Sequence, residues 1–166
     1  ATNTFTEIIT ASKGVKFSAA QVASAGANDL DDYEEGTWTP VIGGAGGTSG
    51  QTYTTQVGSY VKNGQIVIAH GRIVLSAKGT ITGALQVQGL PFTTFTTTNA
   101  YGSIVVGYFD TFSITTQNIK GYIAPNDTTA NLQRLLATAG DVIAMTTADV
   151  NDTSGIIFHC VYRASA

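Results

Sequence analysis

Two histidines, His70 and His159, and a single cysteine, Cys160, are the side chains here best suited to nucleophilic or proton-transfer chemistry. A hydrolytic triad needs an imidazole beside a nucleophile, with an acid to orient it. His70 stands between Ala69 and Gly71 in a strand-like run, and the chain has no GxSxG elbow. Both histidines read as structural or interface residues. Cys160 follows His159 directly, but successive side chains of a strand point to opposite faces, so the two form no dyad. A lone cysteine excludes an intrachain disulfide and a cysteine-based zinc framework. Cys160 reads as a small buried hydrophobe.

Carboxylates are the next candidates. Asp29, Asp31, Asp32, Glu34 and Glu35 supply five of the chain's 11 acids. Such a cluster offers the oxygen ligands that calcium takes, but Tyr33 stands where the EF-hand loop needs its next acid, and no Glu closes the loop. A glycosidase pair needs two carboxylates opposed across a sugar, a geometry that one short loop rarely gives. The leading reading is a charged loop that caps the domain, or one that pairs with Lys16, Arg72 or Arg134 of a neighbour. The glycine-rich run 43–50 lacks the GxGxxG spacing, because Ser49 falls where the last glycine should be, and no P-loop lysine follows. It reads as a surface hairpin loop. The sequence thus assigns no catalytic residue, no cofactor and no metal. Trp38, the only tryptophan, is either a core or interface anchor or an exposed platform for a sugar ring; core or interface leads. Tyr53 and Tyr60 join Trp38 as glycan-contact candidates.

Composition says what must carry these residues. Charged residues make up 11% of the chain, against about 25% in an average domain. Thr, Ser, Asn and Gln must therefore solvate the surface, which suits an extracellular or oligomeric protein. Without the acidic cluster, six acids stand against eight bases. No basic stripe is present, so nucleic acid is not an expected partner. No apolar run reaches the ~20 residues of a membrane span, so no membrane insertion is expected. Ala1 to Thr10 has neither a basic start nor a long apolar stretch, so no signal peptide is expected. A start at Ala1 suggests a piece of something longer.

The elements are β throughout. Phe5 to Phe17 reads as extended chain, and Ser18 with Gln21 could cap one helical turn. Residues 1–28 are read as a stem segment and 29–166 as the β domain. Asn63-Gly64 between Tyr60-Val61-Lys62 and the run Gln65 to Leu75 is a strong hairpin signal. Further strands are expected over Gly79–Val87, Ala100–Phe109, Phe112–Thr116, Ile119–Ala124, Asp141–Met145 and Gly155–Arg163. Asn131–Ala137 could form a helical turn, but its surroundings favour a strand. The glycines in Ala100–Phe109 signal close backbone approach or a bulge. In Gly155–Arg163, Ile156, Phe158, Cys160 and Tyr162 share one face. Ile157, His159, Val161 and Arg163 share the other, a mixed face of the kind a neighbouring subunit partly covers. Around ten short strands with frequent turn signals imply an all-β antiparallel sandwich or jelly roll.

The stretch Leu30-Asp31-Asp32-Tyr33-Glu34-Glu35-Gly36-Thr37-Trp38-Thr39-Pro40 carries a resemblance. With KFSAAQVASAGAN before it and the Tyr53 to Tyr60 segment after it, it resembles the carboxy-terminal module of tail-fibre and tailspike proteins of tailed bacteriophages. The likeness is close over Val15–Pro40 and looser over Tyr53–Leu75. It rests on Phe17, Gln21, Val22, the 30–40 motif, Tyr53 and Tyr60. It implies a homotrimer in which Leu30, Asp31, Asp32, Tyr33, Glu34, Glu35, Trp38 and Pro40 form the structural motif. It also implies a place in the virion tail, extracellular after lysis, and contact with a host polysaccharide or lipopolysaccharide. It assigns no catalytic role to the motif; any depolymerase would lie elsewhere in a parent tailspike. The alternative is a small polysaccharide-modifying enzyme, an esterase or lyase, with its site between subunits.

Overall fold

The structure, a computed structural model, describes residues 33–114, 118–136 and 140–165. The expected stem 1–28, the motif residues Leu30, Asp31 and Asp32, and the acid Asp29 lie outside the described residues.

Among the described residues there are twelve strands and no helix. They are β1 (Tyr33–Trp38), β2 (Val41–Gly44), β3 (Gly47–Ser49), β4 (Thr52–Asn63), β5 (Ile66–Ala77), β6 (Thr80–Thr82), β7 (Leu85–Gln88), β8 (Gly102–Asp110), β9 (Ile119–Ile123), β10 (Thr129–Leu135), β11 (Val142–Ala144) and β12 (Gly155–Arg163). Ten form one antiparallel sheet along the path β1-β4-β5-β12-β8-β9-β10-β7-β2, with β11 on β10, while β3 and β6 form a separate pair.

That path curls back on itself. β1 and β2 are its two ends, yet only Thr39 and Pro40 separate them in the chain. Three residue steps span at most about 10 Å, so the two edges of the sheet meet at this corner. Pro40 suits the spot, since it has no N–H to offer a ladder and none is needed between strands. Its carbonyl accepts the Gln56 Nε2 donor at 3.0 Å, and the Trp38 indole N–H donates to the His70 carbonyl at 3.0 Å. The core fills the inside of the curl, with Val67, Leu85, Val87, Ile123 and Met145 fully buried.

Large rings enter this interior because small neighbours make room. Trp38 lies over Gly58, Tyr60 over Gly36, Phe158 over Gly71, and the Tyr162 side chain against Gly102. In each pair the two residues stand on neighbouring strands, and a Cβ on the glycine would come within 3 Å of the aromatic side chain. Aromatic side chains that cover strand glycines in this way pack and pin a sheet. Trp38 and Phe158 then meet edge to face at 6.1 Å.

Several expectations change. The 43–50 run is not a free loop: it forms β2, a turn and β3. A Cβ on Gly44 would stand 2.1 Å from the Thr82 carbonyl oxygen, so close approach explains this glycine, whereas Gly50 serves a left-handed φ of 75°. Residues 33–38 of the acidic stretch are an edge strand rather than a loop. The hairpin between β4 and β5 turns one residue later than Asn63-Gly64 suggests. Asn63 pairs with Ile66, and Gly64, with φ +55°, takes the first loop position that a type II′ turn gives to glycine. Phe112, Ser113 and Ile114 are not in a strand. Thr111 adopts a left-handed φ of 57° and donates its hydroxyl to the Thr153 carbonyl, which turns the chain off the ladder. The rest of that expected strand, 115–116, lies outside the described residues. Asn131–Leu135 is a strand, part of β10.

Candidate functional site

Period-two alternation gives the strands of the long path an inner and an outer face. On β12, Ile156, Phe158, Cys160 and Tyr162 are buried inside, while Ile157 and Val161 are exposed. His159 is half-buried beside them. Burial alone pushes the Cys160 thiol up to about 12.

Strand register assembles the outer face into rows. The first runs Glu35, Val61, Ile68, Val161, Ser103, Tyr122. The second runs Thr37, Ser59, His70, His159, Val105, Lys120. The third runs Val57, Arg72, Ile157, Tyr108. Tyr108 reaches this face through a bulge. Ile157 pairs with Tyr108 and Phe158 with Val106, leaving Gly107 as the extra residue. The two histidines are cross-strand partners with ring centroids 6.1 Å apart. Between Val57, Ser59, His70, Arg72 and Ile157 a groove of about 330 Å³ opens. A depression of about 180 Å³ adjoins it, lined by Arg72, Tyr108 and Asp110 among others. Arg72 lines both.

A serine beside an imidazole, Ser59 and His70, is the one element of hydrolytic chemistry in these rows. The row contains no carboxylate to orient the ring, so a triad would need an acid from elsewhere. What the face offers directly is aliphatic surface, the Tyr108 and Tyr122 phenols, two imidazoles, the Arg72 guanidinium, the Lys120 ammonium and, on β1, the Glu35 carboxylate.

The residues singled out in the sequence lie mostly elsewhere. Trp38 is 8% exposed, its ring held between Gly58 and Phe158, and Pro40 is buried. Tyr53 is half-buried, and burial raises its phenol. Tyr60 packs edge to face on Phe92 at 5.1 Å and donates its hydroxyl to Glu34 at 2.5 Å. The Tyr33 hydroxyl donates to Glu35 at 3.1 Å. Glu34 and Glu35 are thus engaged with tyrosines along β1, and Glu34 stands opposite Lys62 in the ladder. The exposed rings are others: Tyr101 and Tyr122 meet edge to face at 5.8 Å, and Tyr108 is 56% exposed. In the sequence, only the bulge glycine before Tyr108 hinted at its outward turn.

These phenols and the thiol make the fold sensitive to alkali. The hydrogen bond to Glu34 is the main cause that holds Tyr60 up at about 12 against an ordinary 10.0, with burial and the Glu34 charge adding to it. Tyr162 is raised as well, chiefly by burial. Each acid is harder to ionise folded than unfolded, so its contribution is complete below the unfolded pKa. It is lost as pH rises through the folded one. Thermal melts should hold steady to about pH 9 and fall between about pH 9 and 12. Tyr60→Phe should flatten part of that fall, read as melting temperature against pH; an unchanged slope would refute the assignment.

No protein-family model matches the sequence, and no curated protein does. Among solved structures, the chain is similar to the crystal structure of the Dettilon tailspike protein, with a TM-score of 0.63 at 14% identity. The match covers 80% of this chain and 24% of the tailspike chain. At that identity the likeness is one of fold: the curled antiparallel sheet described above has its counterpart in about a quarter of a tailspike.

Proposed function

We propose that the chain is a distal module of a tailspike or tail fibre of a tailed bacteriophage. In this reading it assembles as a homotrimer, its curled sheet closing as a jelly-roll-like sandwich within the assembly. It travels in the virion tail and contacts a polysaccharide or lipopolysaccharide of the host surface without altering it. The observation that carries the reading is the tailspike likeness over 80% of the chain. The resemblance of the 30–40 motif and the low charge content support it from the sequence side.

Sedimentation and a glycan-binding screen against bacterial surface polysaccharides test it together. The expected result is a mass of three chains and retention on at least one polysaccharide, with no release of acetate or reducing ends. A single-chain mass, or no retention on any polysaccharide, overturns it. The adjacency of Ser59 and His70 favours a second reading, an esterase whose acid comes from a neighbouring copy. Acetate release by the wild type, abolished in Ser59→Ala, would establish that reading in place of the first.

A further inference from the structure

We propose that the outer face of β4, β5, β12 and β8 is where copies of this chain meet. The inference rests on the assembly part of the reading above and adds the surface and its polarity. Two observations carry it.

The first is area. The exposed aliphatic and tyrosine side chains of the three rows are each between 38% and 57% exposed. Together they show on the order of 700 Å², interrupted by Ser59, His70, His159 and Arg72, which is near the ~800 Å² per partner of a stable interface. Val57, Val61, Ile68, Val105, Ile157 and Val161 carry most of that exposed apolar area, beside Tyr108 and Tyr122. Branched aliphatic side chains suit packing against protein, and the aromatic platforms that a sugar would stack on are limited to Tyr108 and Tyr122 toward the β8–β9 side.

The second is charge. Along the rows the face runs from Glu35 on β1, through the aliphatic centre, to Lys120 on β9. Both are exposed. A rotation axis parallel to the strands brings the acidic edge of one copy beside the basic edge of the next. A cyclic assembly thus pairs opposite charges at every contact, with the apolar centre turned toward the axis. No second molecule type is needed to supply the complement. His70 and His159 stand in the middle of this face, and the groove lined by His70, Arg72 and Ile157 opens within it.

The test is sedimentation of the full chain and of two double variants. Ile68→Lys with Ile157→Lys sets charge into the centre of the face. It should sediment as single chains while keeping the β-type circular dichroism of the wild type. Ile68→Thr with Val161→Thr retains branched, strand-compatible side chains and guards against misfolding of the first variant. It should raise the dissociation constant about tenfold or more. Glu35→Lys should also weaken assembly, and Lys120→Glu added to it should restore it. If the wild type is assembled and these variants remain so at wild-type strength, the face is wrong while the assembly reading stands. A wild type that sediments as one chain ends both.

Discussion

Replacing Trp38 with alanine will destabilise the domain by about 3–5 kcal/mol, the range for deleting a large buried ring. Three losses coincide there. The indole leaves a cavity over Gly58, which has no side chain to fill it. The edge-to-face contact with Phe158 disappears. The indole hydrogen bond to the His70 carbonyl goes with it. A typical domain has about 5–15 kcal/mol in total, so the substitution removes a large fraction of it. Trp38→Phe keeps most of the apolar volume and loses the N–H, so it should cost clearly less. Urea denaturation followed by far-ultraviolet circular dichroism reads both. A loss below about 1 kcal/mol for Trp38→Ala would contradict the packing described here.

The second large effect is expected at Asp149. This carboxylate is 6% exposed and accepts the Thr146 N–H at 2.7 Å and its hydroxyl at 3.3 Å. Arg134 Nε lies 3.3 Å from its other oxygen, as an ion pair without hydrogen-bond alignment. The backbone carbonyl of Asp149 also takes the Ser113 N–H. One residue thus ties the turn at 146–149, the strand β10 and the segment after β8. Asp149→Ala leaves a partly buried guanidinium without its counter-ion and the Thr146 N–H without its acceptor, at a cost of about 2–4 kcal/mol. Asp149→Asn keeps an oxygen for Thr146 and should recover about half. Differential scanning calorimetry of both variants decides; equal losses would mean that the charge on Asp149, not the Thr146 cap, carries the stability.

What was legible in the sequence followed from period two and from turn chemistry. Ile156 to Arg163 shows its two faces in its own order of residues, and that order fixed His159 and Cys160 on opposite sides. The glycines of Ala100–Phe109 announced both close approach, at Gly102, and a bulge, at Gly107. What escaped depends on pairs far apart in the chain. Trp38 is a core residue because Gly58 and Phe158 meet it, 20 and 120 positions away, and no local pattern shows that. Phe112 to Ile114 has strand composition, yet contacts with Asn151, Thr153 and Asp149 draw its surroundings off the ladder. The outer face was visible on β12 as a mixed set, but its extent needed the register of five more strands. Exposed Tyr101 and Tyr122 gave no sign of their exposure, because a tyrosine in a strand reads the same on either side.

The position of β12 has a consequence for how the domain comes together. It is the final strand among the described residues, yet it lies in the middle of the hydrogen-bonded path, between β5 and β8. Until it inserts, β1-β4-β5 and the strands from β8 onward are two separate ribbons, each with a bare edge. β12 alone joins the two ribbons, and most pairings that it makes span more than 50 positions. Such long-range closure makes for slow folding, and an unfinished chain offers two open edges to its neighbours. At high concentration the missing strand can come from another copy, so the architecture carries a built-in hazard of strand exchange during synthesis.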